Sequence, residues 1–231
     1  VADALNLYGD RLVETTGQHG ADIASQRLDG LDAQALRHAL DLKLQSDGQT
    51  GAVLDIGCGS GMQALRFASL GLPTVMVDQL PLDKTVLRSE GLAALLPISY
   101  LMKDACALTA ADLPGEIALC YSQRFIHYLR FGEALALLRL VRTRMAKGAK
   151  LFLSASGLQS ELGAGYAGAL QPMAERFSPL AGPMAQQHGI HAPVCLYAPD
   201  ELQALGEQAG FAVERIHAST FGNVKGVFAA K

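Results

Sequence analysis

The chain has 231 residues, half of them apolar and 18% charged, with 19 basic against 22 acidic side chains for a formal net charge of −3. That much apolar content supplies a sizeable core, and mild acidity without a Lys/Arg cluster argues against a broad nucleic-acid footprint. No apolar run reaches the ~18 residues of a membrane span. The opening stretch, with Asp3, Asp10 and Arg11, lacks a signal-peptide core, so the expectation is one cytoplasmic domain over 1–231.

Residues 1–50 read as a helical N-terminal cap. Within it Ala33–Leu42 sets Leu36, Leu40 and either Ala39 or Lys43 at helical spacing, and Gly17 and Gly20 break an earlier helix. A polar turn over Ser46–Gly51 launches a strand at Ala52–Ile56, followed by a helix over Met62–Leu70. Strands at Pro73–Val77, Ile98–Met102, Ile117–Tyr121 and Lys150–Ala155 then alternate with helices at Asp83–Leu95 and Gly132–Met145, the last closed by Gly148. Alternation of this kind is the signature of a parallel sheet covered on both faces.

After Ser156 the pattern changes. Residues 157–198 are rich in Gly and Pro and too long for a plain connection, which predicts a partly helical insertion over a site. A helix over Pro199–Gly210, capped by Asp200, leads into strands at Phe211–His217 and Val224–Ala229 joined through Phe221-Gly222-Asn223. The fold class expected is α/β: a Rossmann-like seven-stranded sheet, mostly parallel, ending in an antiparallel hairpin, with residues 52–156 as the cofactor-binding core and 199–231 as the C-terminal helix and hairpin.

Residues 53–61 read Val-Leu-Asp-Ile-Gly-Cys-Gly-Ser-Gly. A strand runs into a turn that is bare at Gly57, Gly59 and Gly61, and the amides of the following helix point back at the same spot. Strand tip, bare turn and helix N-terminus together make a pocket for a polar, nucleotide-like cofactor. Asp55 and Cys58 belong to this segment, Cys58 through its backbone. Asp78 lies 21 residues beyond Gly57 and suits the vicinal hydroxyls of a ribose. Asp104-Ala105 offers a further strand-end carboxylate for an exocyclic adenine amine. The glycine spacing is G-x-G-x-G, not the G-x-G-x-x-G of dinucleotide-binding turns. Cys58, Cys106, Cys120 and Cys195 form no C-x-x-C pair and read as reduced structural thiols, and no metal site is expected.

These residues resemble the motifs of class I S-adenosylmethionine-dependent methyltransferases. Val53–Gly61 is similar to the first motif, Asp78 and Asp104 to the acids of the second and third, and Tyr121–Leu129 to the fourth-strand segment of small-molecule members. Lys147–Leu153 and Glu201–Phe211 resemble the turn into strand five and the last helix, so the likeness spans about 50–156 and 198–231. The resemblance implies a cofactor, S-adenosyl-L-methionine. Gly57, Gly59 and Gly61 would pass beneath its amino-acid part, with Asp55 orienting the turn. Asp78 would hold the ribose, with Gln79 beside the adenine and Asp104 and Ala105 at the adenine edge. Tyr121 and Ser122 would form the floor near the methyl group, and Arg27 would reach the carboxylate. Ser122-Gln123-Arg124-Phe125 departs from the Asn/Asp-Pro-Pro-Tyr/Phe of base- and glutamine-modifying members. The acceptor expected is therefore a small molecule, with no nucleic-acid or membrane partner and a monomer or homodimer.

Two residues after the fourth strand are candidates for the chemistry itself. His127 is either a packed residue or a base that takes a proton from the acceptor. Arg124 either fixes an anionic substrate through its planar fork or pairs with a neighbouring acid. Tyr8, Tyr166, Met173, Phe177 and Met184 are candidates for an apolar acceptor pocket or for plain packing. His188 and His191 find no partners in the sequence for a metal set. The activity expected is in-line methyl transfer; a nucleotide-dependent oxidoreductase and a non-catalytic methyltransferase-like module remain as alternatives.

Overall fold

The computed structural model describes residues 13–22, 27–46, 50–88 and 90–231. A two-stranded hairpin, β1 (Val13–Glu14) and β2 (Ala21–Asp22), precedes helix α1 (Gly30–Gln45). The main sheet follows: β3 (Ala52–Ile56), α2 (Met62–Ser69), β4 (Thr74–Asp78), α3 (Glu90–Leu95), β5 (Ile98–Met102), β6 (Ile117–Ser122), α4 (Phe131–Arg142) and β7 (Met145–Ala155). Helices α5 (Gly182–His188) and α6 (Pro199–Gln208) lead to β8 (Phe211–Ala218) and β9 (Val224–Ala230).

The seven-stranded sheet has the order β5-β4-β3-β6-β7-β9-β8. β3 to β7 are parallel, and β9 runs antiparallel between β7 and β8. This is the sheet the sequence predicts. Central strand β3 is buried on both faces from Val53 to Ile56, as a strand covered by helices on both sides must be. On one face Leu31, Ala35 and Ala39 of α1 and Phe67 of α2 pack on Val53, Leu119 and Phe152. On the other Leu137 and Val141 of α4 and Leu205 of α6 pack on Leu54, Cys120 and Phe228. The side on which successive strands are added switches between β3 and β6, which themselves run parallel, and this opens a crevice at their carboxyl ends.

Several local expectations differ from the structure. The expected helical cap is a hairpin plus α1; positive φ at Gly17 (69°) and Gly20 (81°) makes the turn, and residues 1–12 lie outside the described ones. The continuous helix over 83–95 is two 3₁₀ turns before α3. There the Thr85 hydroxyl donates to Leu82 O at 2.8 Å and accepts from Leu87 N–H at 3.2 Å, replacing the helical ladder. Gly148 does not end a helix: α4 stops at Arg142, and Gly148 lies in a bulge of β7, between the pairs Met145–Ile117 and Lys150–Leu119, at φ 82°. The first turn of α6 is held by Glu201, whose Oε2 accepts from Ala198 N–H at 2.8 Å, not by Asp200.

Helix α6 meets the sheet at Gly206, where a Cβ would stand 2.2 Å from Phe228 Cε1. Gly206→Ala gains about 1 kcal/mol in helix propensity but overpacks a fully buried ring at a cost of about 1–3 kcal/mol. The substitution should lower the urea midpoint without changing the m-value; an unchanged or higher midpoint would show that Phe228 has room to move.

Candidate active site

The carboxyl ends of β3, β4, β5 and β6 open into a cavity of about 750 Å³. Its floor is the sheet edge. Its roof comes from three segments distant in sequence: the N-terminal hairpin, residues 124–129, and the 157–198 insertion through Gln159, Gln187 and Ile190. The segments hold one another. His19 and Ile190 form an antiparallel bridge, the Tyr128 hydroxyl donates to His19 O at 2.9 Å, and His191 N–H donates to Gln18 O at 2.9 Å.

Gly57, Gly59 and Gly61 all have positive φ, at 66°, 55° and 86°. The first two face the cavity, and they are bare for a steric reason as well. A Cβ on Gly57 would lie 2.1 Å from the Phe125 ring, and one on Gly59 2.5 Å from an Asp22 carboxylate oxygen. Gly61 is different: its Cβ would meet Met76 Cε at 2.4 Å, so it lets α2 close onto β4 and does not line the cavity.

Asp78, at the tip of β4, accepts from Gly59 N–H at 2.8 Å and from Leu80 N–H at 3.0 Å. Burial raises its pKa and these backbone donors oppose the rise. Asp22 takes the next amide of the turn, accepting from Ser60 N–H at 2.7 Å. Asp55 is fully buried beneath, with one carboxylate oxygen unpartnered among the described residues. Burial, followed by the charges of Asp78, Asp32 and Asp22, pushes its pKa well up. Unmatched acceptors at the base of a cavity fit a ligand that brings N–H donors and positive charge.

Around the turn lie further expected residues. Cys58 lines the cavity with its thiol packed near Ala64 and Met76, and burial holds that thiol protonated. Gln79 and Asp104 are exposed on the cavity wall and Ala105 is buried beside them; Asp104 caps its own turn by accepting from Cys106 N–H at 2.9 Å. Arg27 also reaches the cavity. Tyr121 lines the floor as expected. Ser122 does not: strand alternation turns it to the opposite face, where its hydroxyl is buried without a partner among the described residues.

A polar cluster under the floor was not foreseen. Tyr121 donates to Asp32, and Gln123 Nε2 donates to Asp29 Oδ2 at 2.8 Å, the oxygen that Lys225 Nζ also holds at 2.6 Å. Burial raises the pKa of Asp32. Burial acts the same way on Asp29, but the Lys225 bond and charge and the α1 amides outweigh it and leave Asp29 low. Gln123 lines the cavity, and its Oε1 is buried with no partner among the described residues. Asp29-Gly-Leu-Asp32 carries a legible signal, because an acid followed three residues later by another before an apolar run is a helix-capping pattern, and both halves of that box form here.

His127 is buried against the Tyr128 ring, 4.1 Å between centroids, and lines the cavity. Its Nδ1 accepts from Ser156 N–H at 3.4 Å, so the proton belongs on Nε2, 3.4 Å from Ser156 Oγ. The lone pair a base would use is therefore already engaged. Burial, then the charges of Arg124 and His19, lowers its pKa to about 3. Both observations count against the expected proton transfer. Tyr166, Met173, Phe177 and Met184 pack in the cores rather than lining the cavity, and Tyr8 lies outside the described residues. His188 pairs with Glu161 at 3.4 Å. Among the described residues no His/Cys/Asp/Glu group is arranged for a metal, and no helix is long and apolar enough to cross a membrane.

The sheet order and the terminal antiparallel hairpin give the chain a Rossmann-like fold that solved methyltransferases share. The CcbJ methyltransferase from Streptomyces caelestis superposes with a TM-score of 0.61 over 95% of this chain and 100% of its own, at 18% identity. Magnesium protoporphyrin IX methyltransferase (ChlM) from Synechocystis PCC 6803, solved with bound SAH, gives a TM-score of 0.58 over 89% of both chains at 12% identity. In sequence, 102 residues are 28% identical to the ubiquinone biosynthesis O-methyltransferase of Xanthomonas campestris pv. campestris (strain B100), a stretch of 44% of this chain and 41% of that relative's length. No protein-family model matches the chain.

His127 links the site to pH. A histidine whose pKa is lowered on folding takes up a proton on unfolding, so stability falls as pH drops from about 6.5 towards about 3. Urea unfolding at pH 7.0 and 4.5 should show a larger stability loss for the wild type than for His127→Gln, by about 2 kcal/mol at one proton per molecule. Equal losses would mean that His127 is protonated in the folded protein.

Proposed function

We propose that this protein transfers the methyl group of S-adenosylmethionine to a small-molecule acceptor. One observation carries the reading: the glycine turn, Asp78, Gln79 and the Asp104-Ala105 tip, read from sequence as one cofactor site, line a single cavity. The three similar proteins described above are named methyltransferases, which supports it. The fit also rests on unmatched chemistry. Asp55 Oδ2 and Gln123 Oε1 lack partners among the described residues, and both side chains belong to residues that line the cavity.

Bound there, S-adenosylmethionine supplies an electrophilic methyl group on a positively charged sulfur. The chain's residues do the positioning. Asp78 fixes the turn through Gly59 and keeps lone pairs for ribose hydroxyls. Asp55 and Gln123 present acceptors to an ammonium group, and Tyr121 forms the floor, held by Asp32. The roof excludes water and brings an acceptor to near-attack distance. With the His127 lone pair engaged, proximity and orientation carry the rate, and the acceptor is one that needs no strong base. In this reading residues 52–156 with 199–231 form the catalytic core and 157–198 the lid that selects the acceptor.

Isothermal calorimetry should show saturable binding of S-adenosylmethionine and S-adenosylhomocysteine and none of NAD(H). Asp78→Ala should weaken both by at least about tenfold, a loss of ~1.4 kcal/mol, with the variant's melting curve recorded to separate lost contact from lost fold. Unchanged affinity would remove Asp78 from the site, and NAD(H) binding would replace the methyltransferase reading with a redox one.

A further inference from the structure

Strand order divides the cavity in two. The glycine turn, Asp78 and Asp104 lie over β3, β4 and β5; Arg124 and Ser156 lie beyond β6 and β7, and Phe221 in the β8–β9 turn. That turn reaches the cavity because β9 runs antiparallel to β7, pairing Ala155 with Val224. The second half has its own chemistry. Arg124 is one of two non-glycine residues with positive φ among those described, at 49°. Ser154 holds that backbone, accepting from Arg124 N–H through its carbonyl at 3.1 Å and its hydroxyl at 3.0 Å. A strained conformation in a cavity wall, fixed by two hydrogen bonds, sets the direction of a side chain.

Arg124 has no carboxylate within ion-pair distance among the described residues, whereas Lys103 pairs with Asp112 at 2.8 Å and Arg27 has an interaction of its own. Arg124 lines the same cavity as His127 and Tyr128, whose tilted rings lie 4.1 Å apart. Phe221, at the same cavity's rim, is 81% exposed, an apolar ring left to water. A guanidinium without a counter-charge and an uncovered aromatic ring on one wall are complementary to a molecule with an oxyanion at one end and an apolar body at the other.

We propose that the acceptor is an amphipathic oxyanion, a carboxylate or phosphate on an apolar or aromatic body, bound through Arg124 and covered by Phe221. The proposal rests on the methyltransferase reading, which places the cofactor in the other half of the cavity. Arg124 is here a specificity residue that sets which molecules reach the methyl group.

Binding of benzoate, phenyl phosphate and benzyl alcohol to the protein saturated with S-adenosylhomocysteine tests it by calorimetry. At least one anion should bind about tenfold more tightly than the neutral alcohol. Arg124→Gln should erase that preference, Arg124→Lys should retain part of it, and Phe221→Ala should weaken all three probes alike. S-adenosylhomocysteine affinity should be unchanged in every variant. Equal affinity for anions and alcohol, no saturable binding of either anion, or a preference that survives Arg124→Gln would each overturn the proposal. Loss of S-adenosylhomocysteine binding by the wild type would instead overturn the methyltransferase reading on which it stands.

Discussion

One carboxylate ties the site together. Asp78 ends β4, yet its two oxygens accept from the backbone of Gly59, in the turn after β3, and of Leu80, just beyond its own strand. The tips of two adjacent parallel strands are thereby locked at one height, and the turn is held in the left-handed conformations that its glycines permit. Asp22 reinforces the arrangement from the N-terminal hairpin through Ser60. The cost is electrostatic: carboxylates converge on one turn, and Asp55, fully buried among them, is driven towards its protonated form. A site with that imbalance is matched by a cationic ligand, and the same imbalance makes it a poor home for a dinucleotide's pyrophosphate.

Much of this was legible in the sequence because it is written in local chemistry. Glycine at every second position after a strand, and an acid at each following strand tip, are short-range signals, and a mostly parallel sheet with an antiparallel end follows from alternating periods with a closing hairpin. Boundaries failed where a side chain competes with the backbone, as at Thr85, or where a strand carries a bulge, as at Gly148. The glycine pattern also concealed a division of labour: Gly57 and Gly59 serve the cavity, whereas Gly61 serves the packing of α2 on Met76. No spacing rule separates those roles, because the difference lies in what stands opposite each missing Cβ.

The remaining part of the site was hidden because it is assembled from distant pieces. Asp29, Asp32, Gln123 and Lys225 meet only after α1 has docked against the β6 tip and β9 has closed the sheet. Taken singly, Gln123 and Lys225 read as surface polar residues, and Asp29 and Asp32 as no more than a helix cap. His127 shows the reverse. Its place after the fourth strand left it either a packed residue or a base, and burial together with the Ser156 amide on Nδ1 favours the packed reading. Residue type and position identified the neighbourhood, and only the local partners decided the role.

The roof has a mechanical consequence. The N-terminal hairpin, more than a hundred residues from the other two roof segments, is fastened to them by a bridge and a few hydrogen bonds, such as that from Tyr128 to His19 O. Such seams come apart at far lower free energy than the sheet beneath them. A molecule that fills the chamber contacts all of them at once and supplies cohesion that the polypeptide alone does not. Occupancy and closure are then two faces of one equilibrium, and the parts of the chain least able to hold themselves become the parts that most report what is bound.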